Sequence, residues 1–469
     1  MKKQIVAMCV SAVLAAPALA QVQQGGEVSA AQMQEVLQQM QRLQDRVEEL
    51  EARLAGQQQV EKEVEEEVEV VANAEQQEQS DGPRAEAVAP RKRINSNTAL
   101  AARVERLEED VESAENAPIS IGGAVRAQYV WEDYNDGNKD RVGDFDFDLL
   151  RLDYSGSIGD VILSAQYRWF QYMESVQHAW VGYNFNENWQ GQVGITKVPF
   201  GITPYNSNSY FFSSNFYVGL EDDHDAGVKL RYRDPEWDFD IAFFKNDEQG
   251  GVDGFVSNRE DRYAYDPLGV RLAGEGIYDT PNVAVGESNS FAARVARKYA
   301  LDDGQSFEWG LSGQFGKMND GTDDVGDRSA VAVHGVYSVD RWTFMGQVSQ
   351  YDYDMDMANN GIVVGAYAFY DTIPSKATLY TANIAYSMPV QFGPVSNLTF
   401  YNDYSLMTDK RGGGEDTVMN VLGVAVSAGG LYTYFDLVTA KNQPFIGGTM
   451  AGNATDYNTR FNINIGYYF

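Results

Sequence analysis

The chain has one cysteine in 469 residues, Cys9, so neither a disulfide scaffold nor a cysteine-built zinc site is open to it. Histidine is almost as scarce, with His178, His224 and His334 alone. None lies in a Gly-x-Ser-x-Gly elbow or an HExxH helix, and no Walker loop or dinucleotide fingerprint is present. The expectation is therefore no enzyme, no catalytic residue, no assigned metal ligand and no cofactor. Basic charge is also short: 36 Lys and Arg stand against 68 Asp and Glu, a net of -32. That balance argues against nucleic acid or an anionic inner leaflet as main partner, because both would repel the chain. Beyond the first twenty residues no run approaches the roughly 18 apolar residues of a membrane-spanning helix.

Aromatics are plentiful, with 28 Tyr and 23 Phe beside 44 Gly, which excludes an acidic disordered chain. Lys2 and Lys3 precede an apolar stretch, and Ala18-Leu19-Ala20 supplies the small residues a signal peptidase requires, so residues 1–20 read as a signal peptide. Cleavage would remove Cys9, which suits passage through an oxidising periplasm. Met33, Val36, Met40, Leu43, Val47, Leu50 and Leu54 then alternate at steps of three and four, the seam of a coiled coil over 21–74. Residues 75–99, with Pro83, Pro90 and Arg91-Lys92-Arg93, read as a flexible linker. A short helical segment over 100–117 repeats the seam at Leu100, Val104, Leu107 and Val111.

After Pro118 the period changes to two. Ile121, Val125, Ala127, Tyr129 and Trp131 alternate with Gly122, Ala124, Arg126 and Gln128, and the pattern recurs to Phe469. Sixteen such segments fall near 119–131, 145–157, 161–171, 176–185, 189–197, 225–233, 237–246, 290–298, 306–316, 329–339, 342–352, 376–388, 397–408, 418–428, 430–439 and 459–469. Their length matches the roughly 9 to 11 residues of a tilted strand crossing a bilayer. Links after even segments are short turns, whereas most after odd segments are long, as at 198–224, 247–289, 353–375 and 440–458. This parity predicts an all-β fold: a 16-stranded antiparallel transmembrane β-barrel over 118–469, with its long loops outside the cell.

The final segment alternates Phe461, Ile463, Ile465, Tyr467 and Phe469 with Asn462, Asn464, Gly466 and Tyr468. It resembles the signal by which the barrel-assembly machinery recognises outer-membrane proteins. Trp189 to Gly201, WQGQVGITKVPFG, resembles the motif before the third loop of the phosphate-selective porin superfamily. The preceding coiled coil, and the stretch from Asp436 through Lys441-Asn442 to Tyr468-Phe469, are similar to the DcaP-like trimeric porins within it. The resemblance implies a homotrimer of 16-stranded channels in the bacterial outer membrane, with periplasmic helices and a third loop folded into each pore. Its partners would be outer-membrane lipids, lipopolysaccharide and small anionic solutes such as dicarboxylates. The arginine ladder and lysine cluster of the most phosphate-specific members cannot be placed here residue by residue, so the resemblance does not carry phosphate.

Alternation puts Arg126, Arg151, Arg168, Lys229, Arg231, Arg233, Arg294 and Lys298 on the lumen face of five strands, where rings of basic side chains favour anions. Asp146, Asp148, Asp153, Asp240, Glu308, Asp403 and Asp436 face the same way, so a neutralised wall, and with it a general or cation-preferring channel, stands beside the anion reading. The second segment changes phase at Leu149-Leu150, as at a bulge. The loop 198–224 is the expected constriction, with Lys197 at its base and Tyr205, Tyr210, Phe211, Phe212, Phe216 and Tyr217 within it. Glu221-Asp222-Asp223-His224-Asp225 closes it, as an acidic rim opposite the basic wall, a calcium site, or merely hydrated acid. Asp320 to Asp327 and Asp352 to Asp356 are further acidic tips, suited to divalent ions bridging lipopolysaccharide phosphates. Adhesion or tethering through the coiled coil is the remaining alternative.

Overall fold

A computed structural model of the chain describes residues 119–301 and 304–469. The signal segment, both seams and the linker lie outside them. Sixteen antiparallel strands close into a barrel. In chain order these are β1 (Ile119–Glu132), β2 (Asp144–Ile158), β3 (Val161–Phe170), β4 (Glu174–Asn184), β5 (Trp189–Lys197), β6 (His224–Arg233) and β7 (Trp237–Asp247). They continue as β10 (Gly286–Ala300), β11 (Ser306–Asn319), β12 (Asp324–Val339), β13 (Trp342–Met355), β16 (Lys376–Phe392), β17 (Val395–Thr408), β18 (Thr417–Ala428), β19 (Leu431–Lys441) and β20 (Asn458–Tyr468). Every one of the sixteen alternating segments is a barrel strand. β1 pairs with β20, in register from Ala124 opposite Tyr468 to Glu132 opposite Arg460, so the barrel has no free edge.

The alternation sorts as a lipid-facing wall requires. On β7, Trp237 and Ile241 are 40% and 46% exposed, while Asp238 and Asp240 between them, and Ala242 after them, are buried towards the interior. On β20 the pattern repeats, with Asn462 and Asn464 buried and Ile465 and Tyr467 exposed. Outward aromatics gather in two bands. Near the short turns Trp189 lies 5.0 Å from Tyr232, and Trp342 4.7 Å from Tyr386. Near the long loops Phe243 lies 4.9 Å from Phe291. Two aromatic girdles flanking an apolar band are what the two faces of a bilayer select. The phase change in β2 is a bulge at Asp148, which interrupts the β1 register between Arg126 and Ala127. It turns both Asp148 and Leu149 inward.

Two of the long loops hold structure that alternation did not predict. β8 (Asp266–Val270) and β9 (Val283–Ala284) from one, and β14 (Ile362–Ala366) and β15 (Phe369–Ile373) from the other, form a four-stranded sheet in the order β15-β14-β8-β9. Every residue of β8 and β14 is buried. A strand covered on both faces has no reason to alternate, so these segments lacked the period-two signal.

Candidate functional site

The expected constriction loop, 198–224, ends one residue earlier because His224 opens β6; the loop 198–223 folds into the barrel and is fastened along one side of its wall. Gly201 has φ 60°, a left-handed turn in which a side chain would run into Gln347, so glycine is required there. The Gly201 N–H donates to Ser312 Oγ on β11 at 2.9 Å, and the Ile202 N–H to Gln347 Oε1 on β13 at 2.8 Å. Asn383 Nδ2 on β16 donates to the Asn206 carbonyl at 2.9 Å. On β17, Asp403 accepts from the N–H groups of Asn208 and Ser209 at 2.7 Å each and from Asn208 Nδ2 at 2.8 Å. The loop's aromatics are buried by the same fold: Phe212 stacks on Phe216 at 4.3 Å, and Tyr217 donates to the Phe211 carbonyl. Tyr205 remains 43% exposed.

Pinning the loop to one side leaves space on the other. A cavity of about 900 Å³ lies between the loop and the wall of β1, β2, β3, β19 and β20. Its lining reaches from Gly429, Gly430 and Leu431 at the short-turn end to Gln171, Tyr172 and Phe445 at the long-loop end. Four of its lining residues are arginines, Arg126, Arg151, Arg168 and Arg460, against the two aspartates Asp146 and Asp148. Arg126 pairs with Asp148 at 2.8 Å, and Arg151 with Asp153. Arg168 donates to Gln166 Oε1 at 2.6 Å, and no carboxylate among the described residues lies within ion-pair reach of it. Arg151 and Arg168 are direct cross-strand partners, a like-charge pairing that Asp153 offsets on the Arg151 side only. Each of the four guanidinium groups lies over an aromatic ring: Arg126 on Tyr210, Arg151 on Tyr468, Arg168 on Tyr263 at 4.1 Å, and Arg460 on Phe211. Stacking fixes the plane and leaves in-plane N–H donors for a ligand.

The remaining basic candidates stand apart from this cavity. Arg233 meets Asp240 at 2.6 Å, Arg231 lies 3.5 Å from it, and Lys298 reaches Asp238 at 2.7 Å. Arg294 is fully buried beneath the loop, donating to the Gly201 carbonyl at 2.7 Å and to Glu308 at 2.8 Å. Lys229 donates to the Lys197 carbonyl. The first four form a charge-paired belt with carboxylates of β7 and β11, whereas Lys229 is held by a backbone carbonyl alone. Arg460, in phase with Asn462 and Asn464, was missed although the alternation of β20 places it inward. Tyr263 and Tyr367, which also line the cavity, come from irregular loop and carried no periodic signal.

The segment from Glu221 to Asp225 does not form a solvent-facing rim, because all five residues are buried. Glu221 accepts from the Asn206 N–H at 2.8 Å, the Ser213 N–H at 3.1 Å and Ser213 Oγ at 2.5 Å, and so braces the loop internally. Burial pushes its carboxyl up to about 7 despite these donors. Burial would also raise Asp222, but the Lys197 ammonium at 2.6 Å and the Tyr263 hydroxyl hold it below the usual carboxylate range. Lys197 lies under the Tyr205 ring at 4.9 Å. Asp223 and Asp225 turn the other way, towards β8. Of the histidines, His178 Nε2 lies 2.8 Å from Ser164 Oγ, with the amide of Gln177 at Nδ1. His334 is buried against Arg294 and Glu308.

A scan against protein-family models gives no match, and a search of the curated proteins gives none either. Solved structures with a similar course of chain include an anion-selective porin from Comamonas acidovorans, at 13% identity and TM-score 0.46, covering 75% of this chain and 99% of that one. Two others are OmpT of Vibrio cholerae, at 14% identity and TM-score 0.45, and the outer-membrane channel DcaP of Acinetobacter baumannii, at 14% and 0.46. Each covers 75% of this chain and 97% of its own. Likeness at this level carries nothing about selectivity, and the barrel rests on its own strand pairing.

Proposed function

We propose that the chain is an outer-membrane porin, conducting small hydrophilic solutes passively and favouring anions such as dicarboxylates. The observation that carries this reading is the cavity, which is lined at both ends of the barrel and holds four stacked arginines against two aspartates. Arg126, Arg151 and Arg460 are paired with Asp148, Asp153 and Glu132, while Arg168 has no ion-pair partner among the described residues; spaced guanidinium groups can pass a carboxylate from one bidentate partner to the next, and passage needs no cofactor. The apolar band, its two aromatic girdles and the signal segment support an outer-membrane location, with lipids and lipopolysaccharide around the barrel. Membership among DcaP-like trimers, and delivery through the barrel-assembly machinery, belong to the same proposal. It is tested by the mass of the detergent-purified protein with and without residues 21–117.

Selectivity is tested by the reversal potential across a planar bilayer in a potassium chloride gradient. Anion preference is expected, and Arg168→Ala should reduce it; a cation preference would overturn the claim and favour the general porin. We propose no catalysis: the imidazole of His178 is backed by an amide rather than a carboxylate, so Ser164 lacks the third member of a triad. Hydrolysis of an ester or peptide that disappears in His178→Ala would refute that.

A further inference from the structure

Where the loop 198–223 ends, it meets the inner sheet through acid rather than through complementary charge. Asp223 and Asp225 come from the loop's last turn and the start of β6, and Asp266 opens β8. All three are buried, and one carboxylate oxygen from each lies within 4.8 Å of the others. Asp223 Oδ2, Asp225 Oδ1 and Asp266 Oδ1 receive no hydrogen bond from the described residues. Thr196, the cross-strand partner of Asp225, leaves its buried hydroxyl unpartnered as well.

The surrounding bases do not neutralise this group. Arg262 bonds Asp266 through the other oxygen and is shared with Asp247 and Glu248. Arg259 takes Asp247 at 3.2 Å, and Arg328 is engaged by Glu287. Six buried carboxylates thus face three guanidinium groups, and neither Asp223 nor Asp225 has a basic partner within 4.0 Å among the described residues. Asp225 also stands directly opposite Asp247 in the β6–β7 register, a like-charge pair that the sheet would not favour unaided. Uncompensated ions cannot be left in such a place, because burial without a partner costs several kcal/mol per charge.

We infer that Asp223, Asp225 and Asp266 hold a hard divalent cation, calcium, that staples the end of the constriction loop to the inner sheet. The donors are all oxygen, which suits calcium or magnesium and not the softer transition metals. One oxygen from each carboxylate lies within 4.8 Å of the others, close enough to share one ion, and magnesium, which gives up its waters reluctantly, is seldom held by a dedicated cage of protein carboxylates. Water and the Thr196 hydroxyl can complete the 6 to 8 ligands calcium takes. This site does not depend on what passes through the cavity.

The test is equilibrium dialysis of the chelator-stripped, detergent-purified full chain against calcium chloride, with magnesium chloride in parallel. The expected result is one saturable calcium per chain, weakened roughly tenfold or more in Asp223→Asn and in Asp266→Asn and unchanged in Asp320→Asn, whose carboxylate is exposed. No saturable calcium in the wild type, or wild-type affinity in both buried variants, overturns the inference and leaves protons as the neutralising charge. Tighter magnesium than calcium overturns the choice of ion. Should the buried variants fail to fold, terbium bound to the wild type decides instead. Tyr263 and Tyr265 lie just before Asp266 in the chain and should sensitise its emission, and calcium should quench that emission by displacement. Emission that calcium does not displace counts against the site.

Discussion

Removing the Asp403 carboxylate should release the middle of the constriction loop while leaving the barrel closed. Asp403 accepts three hydrogen bonds, from the backbone of Asn208 and Ser209 and the side chain of Asn208. A hydrogen bond to a charged acceptor contributes about 1.5–3 kcal/mol, so three give roughly 4 kcal/mol even at the low end. At 1.4 kcal/mol per tenfold, the undocked population of this stretch should rise about a thousandfold in Asp403→Ala. The Asn206, Gln347 and Ser312 contacts remain, so the loop should swing from its ends rather than leave the barrel. Asp403→Asn keeps one acceptor oxygen but turns an NH2 towards a backbone donor, and should lose about half as much. The assay is single-channel conductance in a planar bilayer, with limited proteolysis of 198–223 as a second readout and heat-modifiable gel mobility to certify closure. Conductance should rise and become noisier in the order wild type, Asn, Ala. A closed Asp403→Ala barrel with the wild-type conductance and cleavage pattern would refute the claim that this carboxylate holds the loop.

Glu221 supplies a pH dependence. Its folded form keeps the proton up to about 7, against 4.5 for the free carboxyl, so stability is greatest below about pH 4.5. It falls by roughly 3 kcal/mol as pH rises to about 7 and is flat above; Glu221→Gln should abolish that slope in thermal unfolding, and an unchanged slope would count against it. Ile241→Arg, on the outward face, should destabilise the barrel by roughly 2–4 kcal/mol in urea unfolding from liposomes if the residue sits near the bilayer midplane. Gln128→Arg, on the cavity wall, should cost little by the same measurement. Gly123→Ala would drive a methyl group into the Arg151 carbonyl and within 2.8 Å of the Phe469 ring at the closing seam. It should cost roughly 1–3 kcal/mol and lower the temperature at which the folded band disappears on a gel.

Alternation made the barrel readable because each strand has one face towards apolar surroundings and one towards the interior, as Trp237 to Phe243 illustrate. Loop parity was readable for the same reason, since only the segments between alternating runs had to be measured. The facing of Arg126 and Arg168 followed directly, whereas that of Arg151 stayed open at the slip of phase at Leu149-Leu150, which the structure resolves as a bulge at Asp148. Tertiary matters were not. Nothing local says that Asp403 reaches back to Asn208, or that Asp266 meets Asp223. The run Ile362-Val363-Val364-Gly365-Ala366 is apolar on both faces and so had no period to betray a strand. The aromatic content of the loop signalled burial, but its acidic end looked like solvated charge because sequence does not record which carboxylates face inward.

The inner sheet also dictates an order of assembly. Its β8 and β14 strands belong to loops carried by different parts of the barrel, and Arg271 beside β8 bonds Thr372 of β15 across 101 positions of chain. Closing so long a loop is favourable only after the wall has brought both arms together, so the sheet must form after the strands that carry it. Until then Ile362 to Ala366 presents an apolar strand with open edges. A chain stalled before closure would therefore display a segment that the finished protein hides completely, and its concealment marks completion.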